Sequence, residues 1–171
     1  MRFCPDCGHE LPARPPVTCG ACGAEHYRNA KPCAGALVTD DEGRVLLMFR
    51  DHEPWGQRWD IPGGFCEYDE HPADAARREL REETGLEVEI GDLIGMWVDR
   101  YPVPGVPDDE VQTTLNIYFH ARRVGGTERP EPGEATELRW FGPDELPADM
   151  AFPAQAVPAL EAWREWVEAR P

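Results

Sequence analysis

Two apolar runs, residues 34–39 and 45–50, flank the polar stretch Asp40-Asp41-Glu42-Gly43. Short aliphatic runs around a Gly-containing turn predict two strands joined as a hairpin. Residues 59–61 read as extended and stop at Pro62-Gly63-Gly64, where glycine permits close backbone approach. Further on, Ala73, Ala75, Ala76 and Leu80 recur with helical spacing. Pro72 suits a first turn and Gly85 a C-terminus, so a helix is predicted over 72–84. Strands are expected at 88–90, 93–101 and 113–123, and another at the sequence Arg139-Trp140-Phe141. A short turn or helix is expected at 143–147. An amphipathic helix is expected over 154–169 with Val157, Leu160, Trp163 and Val167 inward. Residues 51–57, 101–109 and 125–134, rich in Pro, Gly and charge, read as loops. The loop 51–57 borders the candidate site and carries Trp55, a side chain suited either to stacking on a base or to an interface or core role.

The polar face of the 72–84 helix carries more than solubility requires. Glu79, Glu82 and Glu83 lie at i, i+3 and i+4, and at ~100° per residue they fall within roughly one third of the circumference. Such carboxylates repel one another unless they share a cation, and hard divalent ions such as Mg²⁺ or Mn²⁺ take oxygen ligands of this kind. A solvated acidic face is the plain alternative for a bare E-x-x-E-E.

The 171 residues suffice for one ordinary domain and a small appendage. With 33 Asp and Glu against 17 Lys and Arg, the net charge is −16, which argues against non-specific nucleic-acid binding and against anionic membranes. An anionic substrate then needs metal ions and local arginines to reverse the field; Arg122-Arg123 is a modest local positive patch. The absence of an apolar signal region or spanning run points to the cytoplasm. Four of the six cysteines form two matching C-x-x-C-G knuckles, Cys4/Cys7 and Cys19/Cys22. In a chain without a signal that pattern indicates tetrahedral, structural Zn²⁺ in a small ribbon, with rubredoxin-like iron the weaker alternative. Four thiolates complete the tetrahedron, so His9 and His26 read as ordinary polar residues. Cys33 and Cys66 read as small buried side chains. Residues 1–31 carry no basic footprint for nucleic acid, and the boundary to the next domain, 32–171, falls near residue 32.

From Gly64 the chain fits G-x5-E-x7-R-E-U-x-E-E-x-G-U without a gap (U aliphatic): Gly64, Glu70, Arg78, Glu79, Leu80, Glu82, Glu83, Gly85 and Leu86. By this box the chain resembles the Nudix hydrolases. With its N-terminal ribbon it resembles the NADH pyrophosphatase-like and ADP-ribose or FAD pyrophosphatase-like members in particular. The resemblance implies an α/β (α+β) fold, a mixed sheet sandwiched between helices, preceded here by the zinc ribbon. It implies metal-dependent hydrolysis of a nucleoside diphosphate linked to another group. Glu79, Glu82, Glu83 and the carbonyl of Gly64 would be Mg²⁺ or Mn²⁺ ligands, and Arg78 would orient a box carboxylate. Glu70 would buttress the loop onto the helix. A further ligand or base would come from a loop ahead of the Arg139-Trp140-Phe141 strand, with Glu134 the best match and Glu137 second.

The tract SQPWPFPxS of the NADH enzymes is absent; WVDRYPVPGVP, residues 97–107, occupies roughly its place. ADP-ribose or FAD is therefore the favoured substrate and NADH less so. Partners would be a small nucleotide, with no nucleic acid and no membrane; many relatives dimerise, so a homodimer is within the family's habits. A non-catalytic sensor of ADP-ribose-like ligands is the alternative. Such sensors usually lose box carboxylates, and all are present here. A zinc-ribbon adaptor that docks on protein would explain the first 31 residues and none of the box.

Overall fold

The computed structural model describes residues 1–101, 105–106 and 111–169, arranged in two compact units, Met1–Ala30 and Lys31–Pro171. In the smaller unit the two knuckles have the same backbone. Gly8 N–H donates to Cys4 O at 2.8 Å and Gly23 N–H to Cys19 O at 2.9 Å. Strands β1 (Val17–Thr18) and β2 (Glu25–His26) pair antiparallel. The core is only Cys4, Leu11 and Cys19, with Val17 against it, too little apolar burial to hold 30 residues without a further cross-link.

The larger unit is built on β3 (Lys31–Thr39), which runs parallel to β8 (Gln112–Gly126) from Lys31↔Thr114 to Thr39↔Arg122. The other pairings, β7 (Leu86–Tyr101) with β8 among them, are antiparallel, so the sheet is mixed. Alternation along β3 sorts its side chains onto two faces. Ala34, Ala36 and Val38 meet Ala75, Ala76 and Leu80 of α1 (Pro72–Thr84). Leu37 meets Ala156, Ala159, Leu160 and Trp163 of α2 (Pro153–Glu168). This is the helix–sheet–helix sandwich expected.

The hairpin at 34–50 forms differently from the expectation. β3 and β4 (Val45–Arg50) pair only at Thr39↔Val45 and then diverge. Into the gap comes β6 (Gly63–Phe65), pairing Gly35↔Gly63, Ala34↔Gly64 and Cys33↔Phe65. β4 instead pairs with β5 (Trp59–Asp60) and β9 (Ala135–Phe141). The turn at 40–43 sets only the first pair of the hairpin; the partners that bury the rest lie elsewhere in the chain.

Other boundaries shift. The expected strands 88–90 and 93–101 are one strand, β7, with irregular register between Ile90 and Gly95. Gly125 and Gly126, read as loop, belong to β8. Residues 143–147 hold a turn rather than a helix. On α2, Leu160 and Trp163 are buried and Val167 packs on the core as read, but Val157 is exposed. Ala156 and Ala159 take the inward positions. Of the expected loop 101–109, residues 102–104 and 107–109 lie outside the described residues. Among the described residues no helix is long and apolar enough to cross a membrane.

Candidate functional site

Helix α1 runs over the residues its pattern predicted, and its ends explain why. His71, extended at φ −71°, accepts from Ala73 N–H at 3.2 Å, Pro72 opens the first turn, and Gly85 closes the helix at φ 72°. The glutamate face of α1 looks onto β6. A Cβ on Gly64 would lie 2.6 Å from Cδ of Glu79, so a side chain here would displace this carboxylate from its place against the strand. Gly63 N–H donates to Glu83 Oε2 at 2.8 Å.

Arg78 ties these parts together. Its Nε and Nη2 donate to the two oxygens of Glu70, each at 2.9 Å, in a bidentate fork. Nη1 donates to Glu79 Oε1 at 2.7 Å and Glu82 Oε2 at 3.2 Å, and Nη2 also to Phe65 O at 3.2 Å. Glu70 in turn accepts from Glu67 N–H at 2.9 Å. The Arg78 fork, then the Glu67 amide, hold the Glu70 carboxyl down at about 2. Burial pushes Glu83 well above the usual carboxylate range, against the pull of the Gly63 amide and with the charges of Asp60, Glu79 and Glu134 adding to it. Glu79 is raised by burial despite Arg78. Glu82 is half exposed.

Gly63, Gly64, Glu79, Glu82 and Glu83 line a cleft of about 660 Å³ with Arg50, His52, Asp60, Tyr101, Asn116, Glu134, Phe152 and Gln155. Glu134 reaches it through backbone wiring. Loop 127–134 is stitched to the end of α1 by Arg129 N–H to Thr84 O and Glu131 N–H to Glu83 O. Asp51 N–H donates to Glu134 O at 2.9 Å. Glu137, the second candidate, faces away: it is bonded to Arg139 on the exposed side of β9. Next to Glu134, buried Arg50 donates to Asp60 Oδ2 at 3.0 Å and lies 5.1 Å over the Phe152 ring. Burial, only partly offset by Arg50, raises Asp60 to about 6. Tyr101 stands 5.5 Å from Phe152 and 5.9 Å from Phe65. Asn116 Nδ2 donates to Thr114 Oγ1, and the Tyr118 hydroxyl to Gln155.

Several of these were not visible in the sequence. Arg50, Asp60, Tyr101, and Phe152 with Gln155 come from four separate segments, and only the sheet brings them together. The expected positive patch is neutralised: Arg122 pairs with Glu89 and Arg123 with Glu128. Arg81 and Arg129, which line the cleft, carry no ion pair among the described residues. Trp55 is outside the cleft lining; Arg58 lies 5.1 Å over its ring. Cys33 and Cys66 are half-buried, and burial raises both thiols.

In the smaller unit Cys4, Cys7, Cys19 and Cys22 place their sulfurs within 4.8 Å of one another. The Cys4–Cys22 and Cys7–Cys19 separations are both 3.7 Å. A tetrahedron with Zn–S of about 2.3 Å has edges of roughly 3.8 Å, so the sulfurs fit this ion. Amide groups of Cys22 and Ala21 draw the Cys19 thiol down to about 6. His26, read as an ordinary polar residue, is buried with Nε2 3.2 Å from Cys4 Sγ. Among the described residues, the box carboxylates are not one of the clusters whose ligand atoms converge this closely. Their all-oxygen donor set and their mutual repulsion, which Arg78 offsets only in part, nonetheless fit a hard divalent cation.

The sequence comparisons agree with this geometry. The NUDIX domain matches residues 30–162. The NAD-capped RNA hydrolase NudC of Stutzerimonas stutzeri is 33% identical over 150 residues, 86% of this chain and 50% of that protein. A MutT-like protein of Streptomyces ambofaciens is 33% identical over 69% of this chain and 67% of its own length. A NUDIX hydrolase structure from Nitrosomonas europaea superposes with a TM-score of 0.76 at 29% identity, covering 99% of this chain and 92% of that one. The chain spans about half the length of the NudC relatives. With the box helix, the mixed sheet and these matches in agreement, the chain belongs to the NUDIX domain family.

Proposed function

We propose that this chain is a divalent-metal-dependent pyrophosphohydrolase acting on a nucleoside diphosphate joined to a second group, with ADP-ribose or FAD ahead of NADH. The observation that carries the reading is the cleft in which Glu79, Glu82, Glu83 and Glu134 gather beside Arg81 and Arg129. Glu79, Glu82 and Glu83, with the Gly64 carbonyl, would hold Mg²⁺ or Mn²⁺. The bound cation would offset phosphate charge and make water more acidic.

The chain's own residues do the rest. The Gly63 amide and Arg78 fix the directions of Glu83 and Glu79, so little reorganisation is needed when the substrate arrives. Arg81 and Arg129 attract the phosphates against the net charge of −16. The Tyr101 and Phe152 rings offer faces for a planar group. Glu134 takes the proton from water as its oxygen attacks phosphorus, and the anhydride P–O bond breaks to give a nucleoside monophosphate and the phosphorylated partner. Cys4, Cys7, Cys19 and Cys22 would hold Zn²⁺ as a folding element.

The NudC relatives, NAD-capped RNA hydrolases, favour a second substrate with the same anhydride at the end of an RNA. The acidic composition favours the small dinucleotide. Purified chain with Mg²⁺ or Mn²⁺ should be offered ADP-ribose, FAD, NADH, NAD⁺, nucleoside triphosphates and NAD-capped RNA. Release of monophosphate from a dinucleotide, lost in Glu83→Gln, is the expected result. Tight binding of a panel member without turnover would instead make the chain a sensor.

A further inference from the structure

The cleft wall carries a polar chain that the hydrolase reading leaves without a task. Arg50 closes β4 with its guanidinium buried. Nη1 donates to Asp60, and Nη2 stands 3.0 Å from His52 Nε2. A guanidinium only donates, so His52 Nε2 must accept. The proton of the neutral ring is thereby assigned to Nδ1. That Nδ1 is closed off from solvent and makes no hydrogen bond, yet Glu134 Oε2 lies 3.4 Å away. At 3.4 Å the two atoms stand just beyond a formed bond, and a small rotation of the half-exposed Glu134 side chain closes it. An orphaned buried donor is costly, and the facing carboxylate relieves it. Catalytic contacts of this sort often tighten only when substrate is bound.

We propose that His52 is a positioning residue, held by Arg50 in its Nδ1–H tautomer, which donates to Glu134 and aims that carboxylate into the cleft. The proposal rests on the hydrolase reading for the role of Glu134, but not for the tautomer or the contact. The juxtaposition follows from the fold: β9 pairs Ala135 with Arg50 across an irregular register at Phe49/Arg50, which brings the residues flanking both strands together. A purely structural alternative is available, in which His52 serves only as an acceptor for Arg50 Nη2.

Two substitutions divide these roles. Asparagine places an amide near the position of Nδ1, and glutamine near that of Nε2. His52→Gln therefore keeps an acceptor for Arg50 and loses the donor toward Glu134, whereas His52→Asn does the reverse. The expected result on the full chain is a kcat about 10–100-fold lower in His52→Gln with KM little changed, and His52→Asn close to wild type. The opposite order, equal loss in both or no loss in either overturns the proposal. Nitrogen-15 spectra of the wild-type histidine rings give a reading independent of turnover. A protonated Nδ1 and bare Nε2 in His52, with the Nδ1 resonance moving in Glu134→Ala, are expected. A protonated Nε2, or an Nδ1 signal indifferent to Glu134, overturns the proposal even if the chain proves to hydrolyse nothing. Absence of hydrolysis with the expected spectra would count against the hydrolase reading alone.

Discussion

The four sulfurs and the box carboxylates are gathered in opposite ways. The sulfurs converge within 4.8 Å of one another, every one supplied by a three-residue step in a knuckle. The carboxylates share a helix face but are drawn apart: Glu83 to the Gly63 amide, Glu79 and Glu82 to Arg78. A closed site of four protein ligands leaves no room for a reactant and acts through folding, whereas an open one can admit substrate. On the roles proposed above, the difference separates a cluster that builds the molecule from one that works on something else.

The largest effect expected from that contrast is on turnover. Glu83→Gln keeps size and removes charge, and kcat should fall by about 10²–10⁴-fold while the melting temperature changes little; near-normal turnover would remove Glu83 from the working cluster. Cys22→Ser should act in the other direction. Zinc content by atomic absorption should drop from one per chain toward none, and residues 1–30 should lose their dispersed amide signals; retained order without metal would break the contrast. Arg78→Lys keeps the charge and loses the fork, so kcat should fall about 10–100-fold. Glu82→Gln, at a half-exposed carboxylate, should lose at least tenfold less than Glu83→Gln, by the same kinetic assay. Smallest is a pH effect at Glu70. Its carboxyl is held at about 2 in the fold, below the unfolded value, so its contribution is present above about pH 4.5 and lost as pH falls toward 2. Urea midpoints of wild type and Glu70→Gln should therefore differ most at pH 6, draw closer by pH 3 and converge only toward pH 2; a gap that stays constant would refute it.

The closed cluster and the helix of the open one were legible because their constraints are local. Cys-x-x-Cys-Gly dictates a knuckle, and i, i+3, i+4 dictates a face. Arg78 and Glu70 were legible through the box resemblance. What escaped depends on distant pairings. His52 meets Glu134 because β4 pairs with β9 and loop 127–134 is bonded to the end of α1. The positive patch dissolves for the same reason: Arg122 lies opposite Glu89 in the β7–β8 register, a cancellation that no local reading of the arginine pair contains. His26 looks ordinary in the sequence because its 22-residue separation from Cys4 hides a contact of 3.2 Å.

The parting of β3 from β4 after Thr39↔Val45 bears on how the chain reaches its native state. β3 finds its long neighbour only at β8, where Lys31 aligns with Thr114, 83 positions later (114 − 31). Parallel pairing across so long a separation closes slowly and puts the cleft among the later structures to form. During N-to-C synthesis the glutamates of α1 emerge well before β8 and β9 exist to wall them in. A nascent chain ending before residue 112 would expose an acidic helix and an open sheet edge, and only the residues that follow convert them into a walled cleft.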